Sequence, residues 1–490
     1  MFGNNTQHKL IAVNPATKEK LGEVIITSDI PEVMRVARRN TEFLRLNGTR
    51  SIKAFLSAVG AVISQKEREI VEKIILQTGK PVAEVHYEVF AVTNTIKFLL
   101  ETVDALHAEH EESIKTFVPE GGRYFIAPKS IGVVLVVTSF DFAFGISMTN
   151  ILFALAAGCS VVLKPSPEVP LIGEIIRDVL GEAARSVDLP ESLIQVAQGG
   201  LDCAKSLIDL RPDKVMFAGS TQSGRVVGAM CAERFIPHVL ELSAKNPAVI
   251  LEDSDLGYTV QGIRYGAFLS SGQACASIGK VFVPKKFYDE FVAKLIRGVV
   301  QLRQGDPFRY DTDLGPLATK SHFERVTRFV REARVHPGSR IACGGEPNDA
   351  LAGFYYEPTV VEVRNLANPF WNEEIFGPVI PVAPYVDLEA VIDEINRSKY
   401  GLQASIWTKD IEKARSIAKQ IDAGTVFIND ANYSYVIPEL PWGGVKDSGY
   451  GISHSLYGLA EFIRPMNINI TAEQNQFPYR WFPYGKDNLR

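Results

Sequence analysis

A chain of 490 residues, 46% hydrophobic and 22% charged, has material for about three domain-sized units, each with its own core. A formal net charge of -5 with scattered basic residues gives no footprint for nucleic acid, and the apolar runs stop short of the ~20 residues that span a membrane. The polar start from Met1 to Leu10 is unlike a secretory signal, and five cysteines without a CxxC pair point away from disulfides and structural zinc, toward a reducing cytoplasm and no metal.

In chain order, Pro31 to about Ala108 has apolar residues at three- and four-residue spacing, which predicts helix, with Gly79 and Pro81 as a stop. The texture changes in "GGRYFIAPKSIGVVLVVTSF", where short apolar runs broken by Gly and Pro predict strands and turns. Helix "MTNILFALAAG", strand "SVVLK", helix "PLIGEIIRDVLGEA", strands "SLIQVAQG" and "DKVMFAGS", and helix "TQSGRVVGAMCAERF" follow. Such alternation predicts a mostly parallel sheet covered by helices on both faces, with its ligand crevice beyond the carboxyl ends of the strands. That rule brings Ser139 to Asp141, Lys164 to Ser166 and Gly219 to Thr221 around one crevice. A second alternating stretch, from "PAVILEDSD" to about "GTVFINDAN", predicts a second α/β domain, and "AEFIRPMNINI" a strand with little in its own domain to pair with.

Several residues invite chemistry, and each has a bland alternative. Cys275 sits among small residues in "SSGQACAS", open to a substrate if its thiolate is favoured, or simply buried and inert. Glu241 in "LELSAKNP" is a desolvated base or a partner of Lys245. Lys164 closes a strand before two prolines in "VVLKPSP" and suits a cofactor hydroxyl, or snorkels. Gly219 and Ser220 in "FAGSTQSG" make a strand-to-helix turn whose N–H groups suit a pyrophosphate, or an ordinary tight turn.

Together, "NPATKEKLGEV", "FAGST", "ELSAKNP", "GQACAS", "EEIFGPV" and "PWGG", in this order, resemble the aldehyde dehydrogenase superfamily along nearly the whole chain. The resemblance implies an α/β fold in three parts. These are a Rossmann-like cofactor domain (1–119 and 137–247), an α/β catalytic domain (248–460) and a small bridging β segment (120–136 and 461–490) that packs on a partner subunit in a homodimer or homotetramer. It implies Cys275 as nucleophile and Glu241 as general base. Lys164 would touch the adenosine ribose and Ser220, beside Gly219, the pyrophosphate. Glu374 would hold the nicotinamide ribose, and Phe376 would pack against the ring. The implied reaction oxidises a small-molecule aldehyde to the acid with NAD, NADP being possible, through a cysteine thiohemiacetal and thioester.

Two departures stand out. "SFDFA" puts Asp141 where the family carries an asparagine whose amide donates to the oxyanion, and an ionised aspartate can only accept. Either Asp141 is protonated in an apolar site, or the Cys275 backbone N–H carries the load, or the protein is a weak or non-catalytic cofactor-binding paralogue. A cysteine-dependent esterase is the other alternative. "KPSPE" puts Pro167 where many NAD-preferring members carry glutamate, with Glu168 one residue on. For the substrate tunnel, Phe142, small Gly145 and Thr149, and Tyr433, Tyr435 and Trp442 predict a wide aromatic lining that suits an apolar or aromatic aldehyde.

Overall fold

A computed structural model describes residues 9–112, 122–471 and 482. The opening eight residues, residues 120–121 of the expected bridging segment, and its part beyond Thr471 apart from residue 482 lie outside the described residues. As expected, the architecture is α/β.

The first sheet has the order Gly449–Tyr450, His238–Glu241, Lys214–Ala218, Val133–Val137, Ser160–Lys164, Ile194–Val196. The last five of these run parallel, and Gly449–Tyr450 pairs antiparallel with His238–Glu241, Gly449 opposite Glu241. Val133–Val137 is a β-branched run buried at every position, as a strand covered on both faces must be. Alternate residues face opposite layers: Val134 and Val136 meet the helices Val82–His107, Ala143–Ala156 and Pro170–Ser186, while Val133, Leu135 and Val137 meet the helices Leu201–Asp209 and Thr221–Glu233. Val133–Val137 leads to Ser160–Lys164 on one side, whereas Lys214–Ala218 lies on the other. The strand order therefore reverses between Val133–Val137 and Lys214–Ala218, and a crevice opens beyond their carboxyl ends.

The second sheet runs Ser339–Cys343, Thr359–Val363, Val379–Tyr385, Ile278–Pro284, Asn246–Ile250, Gln403–Trp407, Thr425–Ile428, parallel except for its first pair. Two apolar layers cover it, one holding Val249, Phe282 and Val361, the other Ala248, Ile250 and Val281.

The N-terminal helices follow the expected punctuation. Asp29 accepts from the Glu32 N–H at 3.0 Å and Pro31 lies in the first turn, so the helix Ile30–Thr78 starts there. It ends at Gly79, whose φ of 71° is left-handed, and Val82–His107 follows after Pro81. Ile463–Thr471, which sequence left without a partner, lies antiparallel to Gly122–Ser130 over nine residue pairs, from Ile463 opposite Ser130 to Thr471 opposite Gly122. Among the described residues no helix is long and apolar enough to cross a membrane.

Candidate active site

Cys275 follows a turn that ordinary residues avoid. Ser270, Ser271 and Gly272 have φ of 53°, 55° and 71°. Two consecutive non-glycine residues in this region are strained and must be held by their surroundings. Glu84, from the helix Val82–His107, accepts from the Ser270 N–H at 2.9 Å and its hydroxyl at 3.0 Å, and Ser271 Oγ donates to the Gly315 carbonyl at 2.7 Å. Gly272 cannot carry a side chain, because a Cβ would lie 2.1 Å from the Gly377 carbonyl oxygen. Gln273 donates to the Ser270 carbonyl at 3.0 Å and accepts from the Ala318 N–H at 2.8 Å. Around Cys275 itself, Asn246 Nδ2 donates to the carbonyls of Cys275 and Ser277, both at 2.8 Å. The Cys275 backbone is thereby held, and the residue lines a cleft of about 320 Å³ at the strand-order reversal of the first sheet.

Acids crowd it. Burial pushes the Cys275 thiol well above its ordinary value, and the carboxyls of Asp141, Glu241 and Glu374 push the same way. Glu241, the last residue of its strand, is buried, and burial raises its carboxyl to about 7. Ser453 and Trp442 face that carboxyl and oppose the shift, but Oε1 of Glu241 and Nε1 of Trp442 are left without a hydrogen-bond partner among the described residues. Such a group sits near neutrality, where a base for water must be. Asp141 is buried at the end of its loop, and burial raises its carboxyl too. The Ser139 hydroxyl hydrogen-bonds it, and Lys80 and the Cys275 backbone N–H also oppose the shift.

On one side, Gly219, Ser220, Glu374 and Phe376, the residues expected to meet a cofactor, all line the cleft. Gly219 N–H donates to the Glu241 carbonyl at 2.9 Å, tying the turn to the strand that carries Glu241. Ser220 caps the helix Thr221–Glu233, accepting from the Ser223 N–H at 3.2 Å. Glu374 accepts from the Ala244 N–H at 2.9 Å, and burial raises its carboxyl. Phe376 stands edge-on to Phe140 at 5.7 Å. Lys164 ends its strand, with burial lowering its amine to about 8.

The residues expected to line a substrate tunnel lie differently from what sequence suggested. Trp442 lines the cleft, and Phe142 and Tyr435 join it in an apolar cluster with Ile146, Cys275 and Ala276. Gly145 leaves no room. A Cβ there would lie 2.6 Å from the Phe142 ring, and its N–H donates to Glu88 Oε1 at 2.9 Å. Glu88 also takes the Phe144 N–H at 2.8 Å and pairs with Lys80 at 2.7 Å, so a buried carboxylate caps the helix Ala143–Ala156. Thr149 turns to Thr95, 3.4 Å away. Tyr433 packs on Phe427 at 4.9 Å and is 38% exposed.

Glu168, singled out beside Pro167 in the sequence, lines the cleft, and so do His322 and Arg325, which sequence reading passed over. His322 Nε2 lies 3.9 Å from Glu168, and burial keeps that imidazole neutral, lowering it to about 4. Arg325 donates to the Glu374 carbonyl at 2.8 Å. Asn246 and Gln273 were within the quoted motifs, where an amide beside a nucleophile is the signal. His322 and Arg325 belong to a polar helix that gives none.

A cysteine and a carboxyl near neutrality thus meet over a dinucleotide-type crevice, and similarity extends beyond this geometry. The sequence profile of the aldehyde dehydrogenase family matches residues 2–468. The chain is 27% identical over 488 residues to the chloroplastic betaine aldehyde dehydrogenase of Beta vulgaris, covering 97% of this chain and 95% of that one. It is 30% identical over 459 residues to the 4-trimethylaminobutyraldehyde dehydrogenase of Oryzias latipes, covering 92% and 88%. Among solved structures, the betaine aldehyde dehydrogenase of Staphylococcus aureus in complex with NAD+ superimposes with a TM-score of 0.90 at 26% identity, covering 98% of this chain and 94% of that one. The glyceraldehyde-3-phosphate dehydrogenase of Methanocaldococcus jannaschii complexed with NADP gives 0.88 at 26% identity, covering 95% and 100%. With fold, cleft and end-to-end similarity in agreement, the chain belongs to the aldehyde dehydrogenase family.

Proposed function

We propose that the chain oxidises an aldehyde to its carboxylic acid with NAD(P)+, with Cys275 as nucleophile and Glu241 as the base that frees the product. The observation that carries this reading is the shared cleft: Cys275 and Glu241 face one cavity whose other wall is a crevice at a strand-order reversal. The residues present fit a dinucleotide. Lys164 and Glu168 would hold the adenosine ribose, Gly219 and Ser220 the pyrophosphate, Glu374 the nicotinamide ribose, and Phe376 would back the ring. Oxidised nicotinamide, when bound, would supply the hydride acceptor.

Cys275 must lose its proton to solvent against the pull of three acids before it adds. The thiolate adds to the aldehyde carbon, the hydride departs, and a thioester remains on Cys275. Glu241 then draws a proton from the water that releases the acid. Glu168 inside the cleft favours NAD, since a carboxylate repels a 2'-phosphate. The domain division proposed is 1–119 with 137–247 for cofactor, 248–460 for catalysis, and 120–136 with 461–490 for bridging. The short strand Gly449–Tyr450 crosses back to the first sheet.

For the substrate, an aldehyde carrying an amine replaces the apolar or aromatic aldehyde expected from sequence. Supporting this are the betaine aldehyde and trimethylaminobutyraldehyde named for the relatives, the carboxyls around Cys275, and the filled space beside Gly145. Phe142, Tyr435 and Trp442 serve a cation as well as an apolar chain. A homodimer or homotetramer is supported by the edge strand Ile463–Thr471 and by Phe235, Tyr450, Leu456 and Tyr457, exposed by 95%, 65%, 61% and 70%. Its five free cysteines suit the cytoplasm. An aldehyde panel run with NAD and NADP tests the reading. An aminoaldehyde turned over faster than benzaldehyde supports it, the reverse order overturns the substrate, and turnover without oxidised nicotinamide would make the protein an esterase.

A further inference from the structure

Asp141 leaves the aldehyde wall without the amide that would donate to a developing oxyanion. A hydroxyl nearby lacks the opposite partner. Tyr435 is buried, edge-on to Phe142 at 5.6 Å and to Trp442 at 5.5 Å, in the apolar cluster that holds Cys275. His454 fixes it from behind, since its Nε2 donates to the Tyr435 carbonyl at 3.1 Å and its ring stands 4.5 Å from the phenol. The phenol oxygen has no hydrogen-bond partner among the described residues. The titratable groups that act on it are Glu241, Cys275, Asp141 and Glu88. Glu88 is already satisfied by Lys80 and two backbone N–H groups, and Asp141 by Ser139. A buried donor without an acceptor is a standing desolvation cost that a ligand's oxygen removes.

We infer that Tyr435 donates its hydroxyl hydrogen bond to the aldehyde oxygen as Cys275 adds, in place of the missing amide. The inference rests on Cys275 being the nucleophile. As the sulfur–carbon bond forms, the carbonyl π pair moves onto oxygen, where the Tyr435 O–H meets its charge and keeps its proton. The carbonyl reforms when the C–H pair leaves as hydride to oxidised nicotinamide, and the thioester results.

The test is the pre-steady-state burst of reduced cofactor in Tyr435→Phe, with and without Asp141→Asn. Tyr435→Phe removes only an unpartnered oxygen, so Tm and cofactor affinity should hold. The burst should slow about a hundredfold, the typical effect of losing one oxyanion donor. In Asp141→Asn, whose amide supplies that donor, Tyr435→Phe should slow it no more than about threefold, because the two donors are redundant. An unchanged burst in Tyr435→Phe overturns the inference without needing the second background. An equal loss in both backgrounds overturns it in favour of packing, and a loss confined to turnover after the burst overturns it in favour of a partner for Glu241. Failure of the wild-type protein to reduce cofactor with any aldehyde of the panel overturns the dehydrogenase reading itself, and the donor with it.

Discussion

The two walls of the cleft obey different rules. On the cofactor wall, Gly219, Ser220 and Glu374 sit where backbone bonds hold them: to the Glu241 carbonyl, to a helix N-terminus, and to the Ala244 N–H. On the aldehyde wall, Phe142, Tyr435 and Trp442 are set by one another's rings, and Gly145, Thr149 and Tyr433 have turned to other neighbours. A wall built on backbone is fixed by local turn chemistry. A wall built on interlocking side chains depends on every member of the set, so a change at one ring moves the others.

The largest expected effect crosses both walls. Cys275→Ala should reduce aldehyde-dependent cofactor reduction to background while titration calorimetry finds cofactor binding intact. Retained turnover would place the chemistry elsewhere. Glu241→Gln should lower steady-state turnover by about a hundredfold or more. The carboxyl sits at about 7 in the folded protein and is a base only when ionised, so wild-type deacylation should rise as pH climbs through about 7. The variant should lose that rise; the same inflection in both would assign it to another group. On the cofactor wall alone, Glu168→Gln removes a charge that opposes a 2'-phosphate. It should shift the NADP-to-NAD ratio of kcat/KM by about tenfold toward NADP, equivalent to roughly 1.4 kcal/mol; no shift would exclude Glu168 from cofactor choice. The smallest effect belongs to the aldehyde wall. In Gly145→Ala the new methyl meets the Phe142 ring, and overpacking of this kind costs about 1–3 kcal/mol. A fall in Tm of a few degrees is expected, and an unchanged Tm would mean that the ring yields freely.

Sequence made the sheets legible because a wholly buried strand such as Val133–Val137 must be continuously apolar, and it made the break at Gly79 legible because few residues adopt a left-handed φ. Cys275 and Glu241 were legible through their motifs. The turn that presents Cys275 was not. Ser270 and Ser271 give no sign of a positive φ, and the carboxylate that holds the turn, Glu84, lies far away in the chain. Gly145 read as open space because absence of a side chain does not say what fills the gap, and the left-handed Phe142 that fills it is itself invisible to residue preference. His322 and Arg325 reach the cleft from a helix whose pattern records only its buried Val326, Val330 and Ala333.

The central claim is that the aldehyde carbon becomes bound to Cys275 and that Glu241 frees it. Intact-mass spectrometry of Glu241→Gln, quenched after mixing with aldehyde and oxidised cofactor, tests this directly. The account predicts a mass gain equal to one acyl group, mapped to Cys275 by peptide analysis and absent without cofactor. An unmodified protein that has nonetheless released reduced cofactor, or an adduct on any other residue, would contradict it.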